Sequence, residues 1–593
     1  MCGIAGQLMR GAGPAEAAAS DFTPLAHRGP DGHGRRSWSG AHASWRLLHT
    51  RLSIVDLSDA GAQPMENEDG SLVMVFNGEI YNSPDLRRYC EARGHRFRSK
   101  MDGEVILHLW EIEGAASLGR LNGIFAVAVA STITGEVVLA RDPLGVKPLF
   151  YATDGDGTLW FASEPAALVA MGAPAGEHDV VALAQFLTFL WVPSPRSPYT
   201  GIRSLEPGRS LRWGADGMHE APYGRPLVPL EDPPPAPAPD LVDEARARLL
   251  DAGRRQLLAD VPVALMASGG VDSGLLWWAA RDGLERAYTI QWTAGEDREG
   301  LDDDRRAVRD LEARFGTKVD YLDGEQAGDV LPPSGDLFAD PAYGLTRLIA
   351  RRARERGHKV LLSGQGGDEL FGGYRRHAIA PFIRPLRQGR VGAAMEHVLR
   401  RIPSRRLATE YAARVARAAR EKDDFRGYMQ LCSYSSAAER AAALDCGEHE
   451  VSDDVVWQRH QSAYDALSPR LSFLRRAMAV DLAVYLPGLG LSYADRAGME
   501  FGVEVRVPWL DLDMVRWSLE LPDRAITRWW RGKWVPRQLA AEVITKEIAH
   551  RPKRGFAAPA RRIEPGGAPG DRGFRQGSYF ARAKRILDGY RAL

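Results

Sequence analysis

Cysteine is scarce: the 593 residues contain four, Cys2, Cys90, Cys432 and Cys446, and no two form a C-x-x-C pair. That spacing excludes a thiolate zinc site and a disulfide framework, and it suits a reducing cytoplasm. Net charge is lacking too. Lys plus Arg and Asp plus Glu stand at 77 each, so no overall field points to nucleic acid or an acidic surface. The sequence reads as having no apolar span of membrane length, and its first residues lack the basic and apolar regions of a signal peptide. What is present is the composition of an ordinary soluble protein, with a length that favours two or more domains. Proline marks the join. Pro226-Leu227-Val228-Pro229 and the run from Asp232 to Pro239 read as a stiff connection, which places a linker at 214–240 between domains at 2–213 and 241–593.

The most informative stretch is Ser268-Gly269-Gly270-Val271-Asp272-Ser273. The apolar run Val261 to Ala267 precedes it as a buried strand, and Gly274 to Ala280 follows as the first turns of a helix. Strand, glycine turn and helix start gather backbone N–H groups and a positive helix end around one point, which suits phosphate. Ser268 and Ser273 add hydroxyl donors. Asp272 is out of place beside phosphate unless it holds a hard cation such as Mg2+. No lysine follows Gly270, so this is not a Walker loop. It resembles the SGGxDS loop of ATP pyrophosphatases, which cut between the α- and β-phosphates. A second apolar strand, Lys359 to Leu362, ends in Ser363-Gly364-Gln365-Gly366-Gly367-Asp368, and a third, Ala287 to Trp292, lies between the two in sequence. Apolar strands separated by helical stretches predict a parallel sheet with ligands at its carboxyl ends. The resemblance then puts Ala267, Ser268, Gly269, Gly270, Asp272, Ser273, Ile290, Ser363 and Gly364 around ATP, with Asp272 and Asp368 sharing the metal.

At the other end of the chain stands Met1-Cys2-Gly3-Ile4-Ala5-Gly6. Loss of the initiator methionine leaves Cys2 with a thiol beside its own α-amine, whose pKa of about 8 lets it act as a base near neutral pH. A lone cysteine there is as readily a buried thiol. Four further segments follow: His27-Arg28-Gly29-Pro30-Asp31, Arg51 to Asp56, Asn77-Gly78-Glu79-Ile80-Tyr81-Asn82 and Asp102-Gly103-Glu104. In this order the five resemble the class II glutamine amidotransferases. The resemblance implies that Cys2 attacks the side-chain amide of glutamine, that Asn77 and Gly78 form the oxyanion hole, that Arg51 clamps the α-carboxylate, and that Glu79 and Asp102 take the α-ammonium.

Taken together, the two halves resemble glutamine-hydrolysing asparagine synthetase over nearly the whole chain. Further matches are Asp495-Arg496, Val503 to Asp511, Gly532-Lys533 and Arg551 to Phe556. The implied fold class is α/β and α+β in two domains. An N-terminal-nucleophile αββα sandwich precedes a parallel-sheet ATP-pyrophosphatase domain with helical C-terminal additions. The implied reaction adenylates a carboxylate with ATP and Mg2+, and ammonia released at Cys2 travels internally to give a carboxamide. Lys533 matches a lysine that steadies charge on the adenylated acyl group, and a homodimer is possible within the family. Three departures touch the acceptor. Gln365 stands where Glu or Asp is usual, Tyr493 where lysine is common, and Phe338-Ala339-Asp340-Pro341 where threonine and arginine would grip aspartate. The acceptor is therefore aspartate or a larger biosynthetic carboxylate, which Trp529, Trp530 and Trp534 could face. Two other readings keep the fold: an amide ligase or cyclase of the β-lactam synthetase or lasso-peptide cyclase type, and a non-catalytic binding protein.

Overall fold

The computed structural model describes residues 2–11, 23–228, 238–292, 301–328, 330–388, 405–528, 531–551 and 576–591. Apolar residues recurring every second position in the first 220 residues build two six-stranded sheets. One runs, edge to edge, Ile202–Ser204, Phe150–Thr153, Leu159–Ala162, Cys2–Arg10, Ala43–Arg51 and Gly32–Ser39; the other runs Gly217–Pro222, Arg209–Gly214, Val137–Arg141, Gly123–Ser131, Leu72–Ile80 and Met65–Glu66. Ile4, Leu8, Trp45 and Leu47 of the first pack on Val73, Val75, Ala128 and Leu139 of the second. Outside the second sheet, Leu86, Val105 and Leu109 of the helices Ser83–Glu91 and Glu104–Glu113 cover Phe76 and Phe125. Outside the first, Leu25, Ala167 and Leu168 cover Leu48 and Phe150. The result is a helix–sheet–sheet–helix sandwich.

The strand Gly217–Pro222 lies inside the segment expected to be linker. It pairs with Arg209–Gly214 at a sheet edge, and most of its residues are exposed, so no buried alternation betrayed it in the sequence. The helix Ala238–Gln256 then leads into the second domain.

There a five-stranded parallel sheet has the order Lys318–Asp323, Leu284–Gln291, Val263–Met266, Val360–Leu362 and Glu504–Arg506. Leu265, Ala287 and Leu362 on one face meet Leu249, Leu275, Leu311 and Leu539. Ala264, Tyr288 and Leu361 on the other meet Ile349, Ala350 and Ala353. Strands Val263–Met266 and Val360–Leu362 are neighbours, so both glycine loops leave the same end of the sheet side by side.

A helical layer completes the domain. Its 27-residue stretch Phe473–Met499 contains an 18-residue window of mean hydropathy 1.3, which corrects the expectation that no apolar span reaches membrane length; 72% of that window is buried inside the protein. Its middle, Asp481–Gly490, is a π-helix containing Pro487. Such local widening of a helix recurs at functional sites, and this one delivers Gly490 to the second glycine loop.

Candidate functional site

At the sandwich edge nearest the second domain, antiparallel pairing sets Cys2 opposite Arg51. The Cys2 thiol is buried, and burial pushes it up while the Leu52 N–H and Arg51 oppose the shift. Cys2 N donates to Asn77 Oδ1 at 2.9 Å. That bond fixes the amide's orientation and leaves Asn77 Nδ2 buried without a hydrogen-bond partner. A buried donor left unused is costly unless a ligand takes it. Gly78 follows, and a Cβ there would lie 2.0 Å from the Ile124 carbonyl oxygen. Only glycine fits.

Glu79 and Asp102 are buried close by. Burial, then Asp102, pushes the Glu79 carboxyl well above the usual range; burial pushes Asp102 up to about 6, although its Oδ2 accepts from Ile80 N at 2.5 Å. Arg506 offsets part of this, with Nη2 3.0 Å from Glu79 Oε1 and a second buried carboxylate at Glu504. Arg51 points the other way, donating to the carbonyls of Ser58 at 2.7 Å and Asp56.

Arg506 and Glu504 belong to the second domain, so the first site is finished by the second. Arg28 repeats the pattern. Fully buried, it donates to Cys2 O at 3.1 Å, to Glu164 at 2.7 Å and to Asp495 of the helix Leu491–Met499 at 3.0 Å. Sequence reading quoted Arg28, Asp495 and Arg506 only as parts of matching segments. Their roles depend on partners 136 and 467 positions away for Arg28, which no local pattern carries.

At the carboxyl end of the parallel sheet, Ser268 Oγ and Ser273 Oγ stand 2.9 Å apart, with Ser268 N donating to Ser273 Oγ at 3.2 Å. Gly269 has φ +67° and its carbonyl accepts from Arg551 at 2.9 Å. Ala267 N bonds Tyr288 O at 2.8 Å, two residues before Ile290. Gly364 abuts the end of the first loop, where its helix begins, since a Cβ there would meet Ser273 N at 3.0 Å; Ser363 N is held by Arg506 O at 2.8 Å. All nine expected ATP residues thus sit on three adjacent strands and their loops.

Lys533 closes this end. Its Nζ lies 2.6 Å from Asp368 Oδ1 and also bonds Asp272 Oδ2. The residue adopts a left-handed φ of +61°, held by its N–H to Phe371 O at 2.7 Å; such a conformation costs about 1–3 kcal/mol for a side chain other than glycine. Gly373 makes room, because a Cβ there would lie 1.9 Å from Asp368 Oδ1. Asp272 Oδ1 remains buried without a hydrogen bond. Two carboxylates converging on one point, one with an unused oxygen, fit a hard divalent cation as well as an ammonium. Next to Asp368, burial and then Asp368 itself push Glu369 up to about 7, with Tyr374 Oη donating to it at 2.7 Å.

Two of the three departures meet. Gln365 Nε2 donates to Gly490 O at 3.0 Å and to Tyr493 Oη at 2.9 Å. Gly490 O can only accept, so the amide is oriented by chemistry, and Gln365 Oε1 is left buried without a partner. Arg376, nearby, is taken by Asp481 at 2.8 Å. Trp534 lies against the core beneath Arg528, 4.0 Å from ring centre to guanidinium. Trp529, Trp530 and the stretch 552–556 lie outside the described residues.

Comparison with known proteins agrees with this arrangement. Residues 1–224 match the glutamine amidotransferase domain, and residues 244–568 match asparagine synthase. The chain belongs to the asparagine synthase family. A putative glutamine-hydrolysing asparagine synthetase of Mycobacterium tuberculosis (strain H37Rv) is 33% identical over 578 residues, 93% of this chain and 85% of the relative. Glutamine-hydrolysing asparagine synthetase 1 of Bacillus subtilis is 28% identical over 556 residues, 91% and 83% of the two chains. Among solved structures, glutamine phosphoribosylpyrophosphate amidotransferase from B. subtilis is similar with a TM-score of 0.31 and 15% identity, covering 56% of this chain and 94% of the other. As an asparagine-synthetase-type protein, the chain pairs a glutaminase part with an ATP-using part, and family members take glutamine and ATP as substrates.

Proposed function

We propose that the protein is a glutamine-dependent amidotransferase that adenylates a carboxylate with ATP and converts it to a carboxamide. The observation that carries this reading is the shared wall of the two sites: Arg506 from the synthetase part completes the pocket of Glu79, and Asp495 holds Arg28 against the backbone of Cys2. A chain whose halves worked separately has no reason to bury these charges, since desolvating an ion pair is repaid only with good geometry.

With Met1 removed, the α-amine of Cys2 occupies the nitrogen that Asn77 Oδ1 now binds, positioned to take the thiol proton. The sulfur adds to the amide carbon of glutamine, and Asn77 Nδ2 with the Gly78 N–H receives the oxyanion. Collapse expels ammonia and leaves a thioester, which water cleaves to glutamate. Glu79 and Asp102 receive the substrate ammonium. In the second site the acceptor carboxylate attacks the α-phosphorus, pyrophosphate leaves, ammonia displaces AMP, and the carboxamide forms. Asp272 and Asp368 would hold Mg2+, which neutralises charge on the phosphate oxygens. Lys533 then turns from the two carboxylates toward the phosphates.

The acceptor is a carboxylate other than a free α-amino acid. Gln365 and Tyr493 offer it a neutral acceptor and a hydroxyl, not the charges that would bind an α-ammonium and α-carboxylate. The test is mass spectrometry with amide-labelled glutamine against aspartate and a panel of larger acids. Transfer of one labelled nitrogen to a non-amino-acid carboxylate is expected; transfer to aspartate alone overturns the acceptor assignment, and transfer to none overturns the function.

A further inference from the structure

A second set of metal-ligating side chains lies on the outer face of the glutaminase domain, away from both sites. Two of them, His108 and Glu111, stand three positions apart on one side of the helix Glu104–Glu113. His95 comes from the loop that follows the helix Ser83–Glu91, and Glu68 from the turn between the strands Met65–Glu66 and Leu72–Ile80. His95 Nδ1 lies 3.2 Å from His108 Nδ1 and 3.2 Å from Glu111 Oε2; His108 Nδ1 lies 3.5 Å from Glu111 Oε2 and 3.7 Å from Glu68 Oε1. Ligands about 2.0–2.1 Å from a tetrahedral centre stand about 3.3 Å from one another. The three edges of the His95, His108 and Glu111 triangle scatter around that value, and Glu68 stands beside His108 at its rim.

The surroundings are those of a ligand set. Glu111 Oε1 accepts from Asn67 Nδ2 at 2.8 Å, which aims the other oxygen at the histidines. On the far side of the His108 ring, Nε2 faces Glu104 Oε1 at 3.6 Å, and no hydrogen bond satisfies that buried nitrogen. A carboxylate behind a ligating imidazole is the usual means of fixing its tautomer and orientation. Glu104 is itself anchored by the N–H groups of Arg98 at 2.7 Å and Ser99 at 2.9 Å. His108 is 3% exposed, while His95 and Glu111 are 20% and 26% exposed, so an ion has a path in from solvent.

We propose that His95, His108 and Glu111, with Glu68 at the rim, form a structural site for a divalent transition ion of the Zn2+ class. Two imidazoles with carboxylates select that class over Mg2+, which prefers six oxygens. The site pins the 95–102 loop. From this loop Lys100 N donates to Asp56 Oδ2 at 2.8 Å and Asp102 binds Ile80 N, so the ion buttresses the segment beside the glutamine pocket.

The experiment uses the full chain carrying Cys2→Ala, to remove the reactive thiol, stripped of metal and kept in excess Mg2+ so that Asp272 and Asp368 are occupied. Titration with Co2+ is expected to give a saturable tetrahedral ligand-field spectrum at one equivalent, displaced by Zn2+, and Zn2+ is expected to raise the melting temperature by a few degrees. His95→Ala, a partly exposed loop change that keeps the fold, should abolish the spectrum. Glu104→Gln should weaken binding about 10–100-fold. No saturable spectrum, or an unchanged one in His95→Ala, overturns the site and leaves the two rings as a hydrogen-bonded pair.

Discussion

The two chemical halves of this molecule hold their charges in opposite ways. At the thiol site three buried carboxyl groups, Glu79, Asp102 and Glu504, stand beside Arg506, with Lys147 also acting on Glu504, and Asn77 Nδ2 has no hydrogen-bond partner among the described residues. Carboxyl groups outnumber the cations beside them and one donor is unused, an arrangement that leaves acceptors for an ammonium and a donor for an oxyanion. At the phosphate loops the opposite holds. Lys533 lies between Asp272 and Asp368 and pairs with one oxygen of each, so its cation already occupies the point where the two carboxylates converge. One half waits open and the other has to be unlocked. An amidotransferase gains from that difference, because ammonia released before an acyl-adenylate exists is wasted.

The largest expected effect tests the open half. Cys2→Ala should lower glutamine-dependent turnover by on the order of 10^4-fold or more, as loss of a nucleophile does, while added ammonia still supports carboxamide formation. Pyrophosphate release and product are read separately; product from glutamine without free ammonia would mean that the halves are not so divided. Next, Lys533→Met should cut pyrophosphate release about 10^2–10^3-fold, the usual cost of losing a charge-stabilising donor, and leave glutaminase activity present. Loss of both activities together would show that the closed half also governs the open one.

A third change attacks the wall between them. Asp495→Asn leaves Arg28 short of a buried partner and should cost about 3–5 kcal/mol of stability, measured by denaturant unfolding. Arg28 and then Arg496 hold the Asp495 carboxyl down to about 2 against the penalty of burial. A depressed carboxyl stabilises when ionised, so its contribution is complete above about pH 4 and is lost as pH falls from about 4 toward 2. The melting temperature of the unaltered protein should therefore fall across that window more steeply than that of Asp495→Asn. The smallest effect is at the acceptor: Tyr493→Phe removes one hydroxyl, worth about 1 kcal/mol, and should raise the acceptor KM several-fold with glutamine KM unchanged.

Much of this was legible in the chain because the chemistry is local. A strand, a glycine turn and a helix start lie within twenty residues, so the glycine loop after Val263–Met266 announces itself, and the Cys2 and Asn77-Gly78 segments do likewise. Edge strand Gly217–Pro222 was missed because its side chains are exposed on both faces, and the length of the apolar stretch 473–499 was missed because charged and tyrosine residues interrupt it. Glu79 as a partner of Arg506, and Asp495 as a partner of Arg28, were invisible, since each of these carboxylates comes from the other domain.

By itself, then, the sequence determined which backbone loops exist and which side chains could do chemistry on them, because steric limits at glycine and the reach of neighbouring groups act over a few residues. Only the tertiary structure decided which charges are left over and which are cancelled. Burial removes water from whatever the fold brings together, and a carboxylate's behaviour then depends on the cation that arrives from hundreds of residues away. The meeting of Gln365 with Tyr493, and of His95 with His108 and Glu111, was decided at the same level.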